Sequence, residues 1–238
     1  MNAVNPGDPN APRFNAGSGF TGAAFFRFFV FLSILTIHAP FVNGQSSKYA
    51  VTCSLLQTLY NDEIQDHLTY LAYAKKALSE NYPNIAYFFV TLANSEYIHA
   101  RNYKKILLDL GMEANEPPKS EIRVCATKEN LKNASQAELD LIDQKYPKYL
   151  EKVKSEPHEA AIRYVTFAWE GDRQHRDLIE KVKSGTGIFF GSLIQKIEKA
   201  QIQFYICQVC GFPNEKIPIV CPISKSPGSK FKEVEMMK

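Results

Sequence analysis

The sequence predicts an all-α fold, a four-helix bundle followed by a small C-terminal metal-knuckle domain, and three observations predict it. Four segments between about Thr52 and Val182 repeat apolar residues at three- and four-residue steps. Each of them sets a carboxylate in the middle of its apolar stripe. Beyond them stands a Cys-x-x-Cys-Gly motif, Cys207 to Gly211.

Size and charge bound what such a chain can do. Its 238 residues, 45% hydrophobic and 22% charged, suffice for one good-sized core with a small appendage. The formal net charge of +3 is small for this length and argues against a nucleic-acid partner. Five cysteines do not make a disulfide framework here, and three of them (Cys207, Cys210, Cys221) crowd one stretch, which points to metal first.

Residues 1–48 are set apart from the fold as a targeting or anchor segment. Residues 1–21 are rich in Asn, Pro, Gly and Ala, and Phe25 to Ile37 is an apolar run, broken by Arg27, that is short for a membrane span. Small residues from Ala39 to Gly44 suit a signal peptidase, so export, as to a periplasm, with cleavage near Gly44 is expected. An uncleaved membrane anchor is the second reading. A start-site artefact or another signal, with a cytoplasmic protein, stays open because the stretch before the apolar run is long and weakly basic.

The bundle is expected over 49–183. On its first helix Leu56, Leu59, Tyr60, Glu63, His67, Tyr70 and Ala74 share a face; on the second Phe89, Glu96, Tyr103 and Leu110 recur every seven. The third carries Leu131, Ala134, Glu138, Leu141 and Ile142, and the fourth aligns Val165, Ala168, Asp172, His175, Ile179 and Val182. Asn81-Tyr82-Pro83 and Ser155-Glu156-Pro157 make tight breaks, whereas the stretch from Gly111 to Thr127, with Glu116-Pro117-Pro118, is long enough to run back along a bundle. A linker is expected over 184–203 and the knuckle domain over 204–238.

The two halves repeat. Thr52 precedes Glu63 by 11 residues as Thr127 precedes Glu138, and Glu96-x-x-His99 follows the first Glu by 33 residues as Asp172-x-x-His175 follows the second by 34. Residues three apart share a helix face, so each pair can offer one oxygen and one imidazole to the same ion. With Glu63 and Glu138 the set has four carboxylates, which two divalent cations neutralise; without them the core would hold unpaired charges. Mixed carboxylate and imidazole ligands suit iron or manganese, and two irons are expected. One Glu-x-x-His alone is common on exposed helices, but two in register are not. His67 and Tyr103 read as packed or hydrogen-bonded residues rather than ligands. Asp172, one methylene shorter than Glu, is expected to bind one metal and to bridge less well.

At the knuckle, Cys207-x-x-Cys210-Gly211 is followed by Cys221-Pro222-Ile223-Ser224, so Ser224 stands where a fourth thiolate would. An oxygen there weakens an iron centre, and an altered iron site, a zinc site, no metal, or a Cys207–Cys210 disulfide in an exported protein are all open. Cys53 and Cys125 read as buried or free thiols.

From about residue 50 to 234 the chain resembles the rubrerythrins, in which a ferritin-like diiron bundle precedes a rubredoxin-like domain. The resemblance implies a non-haem diiron peroxidase that reduces hydrogen peroxide to water in oxidative-stress defence. It implies electron transfer from the rubredoxin-like metal, an external donor such as a rubredoxin or its reductase, and a head-to-tail homodimer. Glu63, Glu96, His99, Glu138 and His175 match the family's ligands, with Asp172 where Glu is usual. Tyr70 and Tyr146 match tyrosines lining the site, and Cys207, Cys210 and Cys221 match three rubredoxin ligands. Leu141 stands where typical members carry a further carboxylate that exchanges with a histidine on oxidation, which implies a more symmetric site with His99 bound in both states. A ferroxidase or iron-storing protein is the alternative, and an interaction module with a structural metal the third reading.

Overall fold

Two local rules explain where the rods stop. Asn81 and Gly111 both have positive φ (62° and 77°), and at each the next amide reaches back to close the helix: Tyr82 N–H to Ala77 O and Met112 N–H to Leu107 O, both 2.9 Å. A computed structural model of the chain describes residues 48–118, 120–183, 198–199 and 201–237. In it α1 runs Ala50–Ser79, α2 Pro83–Asp109, α3 Thr127–Asp140, α4 Tyr146–Ser155 and α5 Glu159–Lys183. One π-helical turn, Leu141–Lys145, joins α3 to α4 without a break, so the bundle has four rods.

The rods begin on borrowed caps. No N-terminal residue caps α1 or α3 with its own side chain. The α1 amides of Val51 and Thr52 instead donate to Glu156 (3.1 and 2.8 Å), and the α3 amide of Thr127 donates to Glu80 (2.9 Å). Each carboxylate thus stands at the turn of one hairpin and caps the first helix of the other, which extends the internal repeat to the ends of the bundle.

Two apolar clusters fill the bundle, one around Tyr70, Phe89, Leu92, Leu131 and Ile179, the other around Leu56, Leu59, Tyr103, Tyr146 and Val165. On α2, Ile98 belongs to the first and Ala100 to the second. The polar band of Glu96 and His99 lies at the junction. Three short strands, β1 Tyr205–Cys207, β2 Pro213–Asn214 and β3 Phe231–Glu233, form an antiparallel sheet in the order β2-β1-β3. Phe204, just before β1, packs against Tyr87 and Phe88 of α2, and Tyr87 Oη donates to Val234 O at 2.8 Å.

The described residues fall in one compact unit. The expected targeting segment, apart from Lys48, and most of the expected linker lie outside the described residues. Among the described residues no helix is long and apolar enough to cross a membrane.

Candidate metal centre

Six side chains from four helices meet at the junction of the two clusters: Glu63 (α1), Glu96 and His99 (α2), Glu138 (α3), Asp172 and His175 (α5), each at most 3% exposed. The three-residue spacings do on helices what they imply in sequence, turning both members of each pair inward. Glu96 spans the two halves, with Oε2 3.0 Å from His99 Nδ1 and Oε1 3.0 Å from His175 Nδ1. Glu63 Oε2 stands 3.7 Å from His99 Nδ1, and Glu138 Oε1 3.6 Å from His175 Nδ1. Asp172 Oδ1 is 3.7 and 3.6 Å from the two imidazole nitrogens, so its shorter side chain still reaches the midline. Glu63, Glu96 and His99 form one set of donor atoms within 4.8 Å of one another, and Glu96, Glu138 and His175 a second.

The tautomers follow from the outer ring nitrogens. His99 Nε2 lies 3.0 Å from the carbonyl oxygen of Cys210, which can only accept, so Nε2 carries the proton. Ser95 Oγ spends its one proton on Gly211 O (2.7 Å), so His175 Nε2, at 2.8 Å, must donate to it. Both Nδ1 lone pairs then face carboxylate oxygens. Such an arrangement calls for a cation or a shared proton between them.

Other atoms tell the same story. Both oxygens of Asp172, Glu138 Oε2 and His175 Nδ1 are buried without a hydrogen-bond partner. Burial pushes Glu63 up to about 7 against the pull of His99, and burial with the Glu96, Glu138 and Glu63 charges raises Asp172 well above the carboxylate range. Glu96 is held low: burial opposes this, but His175 and His99 prevail. Both imidazoles sit well above their usual value, Glu63 foremost for His99 and Glu96 for His175 overcoming burial. The polypeptide alone must share protons that two divalent cations would replace. The donor set fits a two-iron site.

The knuckle is seated on this centre. Four consecutive carbonyls of its Cys-x-x-Cys-Gly loop each receive one donor from α2: Gln208 O from Arg101, Val209 O from Asn102, Cys210 O from His99, and Gly211 O from Ser95. Gly211 has φ +80°, and a Cβ on it would fall 2.7 Å from His99 Nε2, so both backbone and space require glycine. The sulfurs of Cys207, Cys210 and Cys221 are fully buried and lie within 4.8 Å of one another. Ser224 Oγ stands 3.5 Å from Cys207 Sγ, and Ser226 Oγ, 2.8 Å from Ser224 Oγ, stands 3.4 Å from the same sulfur. Hydrogen bonds from Cys210 and Cys221 hold the Cys207 thiol far below its ordinary value. Three thiolates and a hydroxyl pair could hold a further metal ion.

The rubrerythrin family model matches residues 55–183. The chain belongs to the rubrerythrin family. Rubrerythrin-2 of Clostridium acetobutylicum is 31% identical over 78% of this chain and 98% of its own length, and Rubrerythrin-1 of the same organism is 26% identical over 79% and 96%. Among solved structures, fully reduced nigerythrin superimposes with a TM-score of 0.64 at 21% identity, covering 76% of this chain and 86% of its own. A bacterioferritin of Desulfovibrio desulfuricans, described as having a diiron site, gives 0.60 at 18% over 64% and 90%. The bundle is therefore the ferritin-like diiron domain of a rubrerythrin, a family of diiron oxidoreductases, and the three strands and cysteines form its knuckle domain.

Two tyrosines cross the site. Tyr70 of α1 donates to Glu138 Oε1 of α3 at 2.7 Å, and Tyr146 at the start of α4 reaches Glu63 Oε1 of α1 at 3.4 Å. Tyr70 follows Glu63 by seven residues but Tyr146 follows Glu138 by eight. In an unbroken α-helix the eighth residue is rotated by about 80°; the π turn at Leu141–Lys145 absorbs one residue and returns Tyr146 to within about 20° of the Glu138 face. Tyr103 is buried below them without a hydrogen-bond partner for its hydroxyl, and His67 Nδ1 pairs with Ala93 O at 2.7 Å outside the ligand set.

Three further residues at the site lie outside the set read from the sequence. Ser95 sits beside Glu96, but its partners are the remote His175 and Gly211. Ser226 shares the fourth corner of the knuckle with Ser224. Asp66, three residues after Glu63, lines a cavity beside the irons' ligands, where burial and the Glu96, Glu63 and Glu138 charges push its carboxyl well above the usual range. The three-residue rule that picked out His99 from Glu96 would have found it.

Proposed function

We propose that this rubrerythrin-family protein reduces hydrogen peroxide to water, taking electrons through the knuckle from a rubredoxin-type donor or its reductase. The observation that carries the reading is a cavity of about 210 Å³, lined by Tyr70, Glu96, Glu138 and Leu141, that reaches the surface at the exposed residues Asp140 and Lys145. It offers room for about seven waters, enough for a two-oxygen oxidant beside the ligands.

Iron held by Glu63, Glu96, His99, Glu138, Asp172 and His175 would supply the two electrons that O–O cleavage requires. The chain's own groups must supply two protons for two waters. Tyr70, whose hydroxyl already donates to Glu138, is placed to hand a proton into the cavity, and its phenol is held well above its ordinary value by burial and by Glu138, so it stays protonated at neutral pH. The apolar clusters on both sides keep the remaining faces dry. The carbonyl of Cys210 on His99 Nε2 supports a short path from the knuckle to the bundle, and a head-to-tail homodimer belongs to the same reading.

The acidic mouth of the cavity, with Asp62, Asp66 and Asp140, specifically favours the alternative of ferrous-iron uptake and oxidation by oxygen. Anaerobic loading with ferrous iron, followed by rapid mixing with peroxide or with oxygen, separates the two. Faster oxidation by peroxide, slowed roughly 100-fold in Tyr70→Phe with iron still bound, is expected. Preference for oxygen with release or growth of a ferric core would reject the peroxidase reading.

A further inference from the structure

The first knuckle, Cys207 to Gly211, is occupied by α2, which bonds four of its carbonyls. The second, Cys221 to Lys225, is the tip of a small hairpin. Val220 pairs there with Pro227, while Gly228 N–H donates to Ile219 O and Cys221 N–H to Ser226 O, both 2.8 Å. The leading arm carries Ile217, Ile219 and Val220, 52%, 92% and 51% exposed, three large apolar side chains within four residues. Lys225 stands in the second knuckle where Gly211 stands in the first, and both have positive φ, 59° and 80°. Glycine takes that conformation freely, whereas a lysine is strained by it. Asn81, the other non-glycine residue with positive φ among the described residues, is of a type that tolerates it. A cation therefore occupies the hairpin tip at a backbone position that prefers glycine, which points to a use for it. From Glu215 to Lys230 the chain sets three exposed cations, Lys216, Lys225 and Lys230, against Glu215 alone.

We propose that this hairpin is the docking surface for the electron donor, a small redox protein that carries carboxylates around an apolar contact face. The inference deepens the proposed function and rests on it for the class of partner. Ile217, Ile219 and Val220 supply an apolar centre and the lysines a cationic rim, which together suit a specific but transient complex. Lys225 Nζ, 2.7 Å from Pro222 O, is held over the loop with two further protons for a partner's carboxylates. The position suits a donor. Val220 adjoins Cys221, whose Sγ lies 3.5 Å from Cys210 Sγ, and Cys210 O accepts His99 Nε2–H at 3.0 Å. A partner on the hairpin thus sits at the outer end of a run of contacts whose inner end is an imidazole of the metal centre. A second copy meeting the hairpin face to face would set these lysines against like charges, so the acidic partner is favoured.

The test is binding, and it stands apart from turnover. Amide spectra of a ¹⁵N-labelled rubredoxin of negative net charge are titrated with the full chain at low salt. A complex that weakens as salt is added is expected. Ile219→Asp should weaken it roughly tenfold or more, and Lys216→Glu should weaken it with a shallower dependence on salt. Lys225→Gly separates docking from folding, since it should leave Tm no lower and still weaken the complex. Leu108→Asp, at an exposed apolar position on α2, should leave the affinity unchanged. No complex with the parent at low salt, or equal affinity in Ile219→Asp and Lys225→Gly, overturns the proposal. A parent dimer that Ile219→Asp splits in sedimentation overturns it as well, because the surface would then belong to a second copy. The titrations can succeed where peroxide reduction fails, and the reverse, so the two readings fall separately.

Discussion

The carboxylate of Glu156, at the end of α4, accepts the amide of Thr52 in the first turn of α1 at 2.8 Å. Its counterpart Glu80 does the same for Thr127 of α3, and both acids are held below their ordinary value by these bonds, burial opposing. Glu156→Gln and Glu80→Gln should each cost about 0.5–2 kcal/mol in urea melts at pH 7. A depressed folded-state value means that the stabilisation is complete above the unfolded value near 4.5 and is lost as pH falls through the lower folded value. The gap between parent and variant should therefore close as pH falls below about 4.5. A gap independent of pH would show that the charged form is not what caps the helices.

Ser95 passes one hydrogen bond from His175 to Gly211. Ser95→Ala leaves His175 Nε2 without an acceptor and frees the imidazole to rotate. A loss of about tenfold or more in affinity for one of two Co²⁺ ions is expected by calorimetry, with the other ion less affected. Equal weakening of both would mean that Ser95 acts on the bundle as a whole.

Loading should stabilise the bundle. At free metal about 100-fold above Kd the gain is about 2.7 kcal/mol, or roughly 5–10 °C in Tm for a chain of this size. Glu96→Gln, which removes the carboxylate spanning both halves, should abolish that increment and also destabilise the metal-free protein at neutral pH, since the ionised Glu96 pairs with both buried imidazoles. Scanning calorimetry with and without metal checks both statements.

Ser224→Cys tests the knuckle. Ser224 Oγ already lies 3.5 Å from Cys207 Sγ, at the open corner. The variant should take up iron with the intense visible sulfur-to-iron bands of a four-thiolate site and keep it through a chelator that strips the parent. Ser226→Ala should change the parent's metal retention and not the variant's.

How much of this could be read from residues alone depends on the range over which each relation acts. The four rods and the carboxylate on each were legible because a 3.6-residue period and a three-residue spacing are local rules, and Glu63, Glu96, His99, Glu138, Asp172 and His175 obey them. Ser95 was not, because its role exists only when a loop more than a hundred residues away is seated on α2. The π turn was hidden for another reason: a single added residue is invisible unless Tyr146 is compared with Tyr70 across the repeat. Asp66 was legible and overlooked, since a polar residue on an amphipathic helix reads as solvent-facing until a cavity is found beside it.

The berth of the knuckle on α2 is written in backbone oxygens of residues 208–211, and only Gly211 is constrained by its lack of a side chain. Apart from the packing of Phe204 on Tyr87 and Phe88, this join therefore does not depend on which side chain stands at position 224. A chain can exchange a thiolate for Ser224, and with it the metal or the potential of that centre, without loosening the loop from His99 and Ser95. The metal chemistry of the knuckle can drift under selection while the mechanical join to the bundle stays as it was.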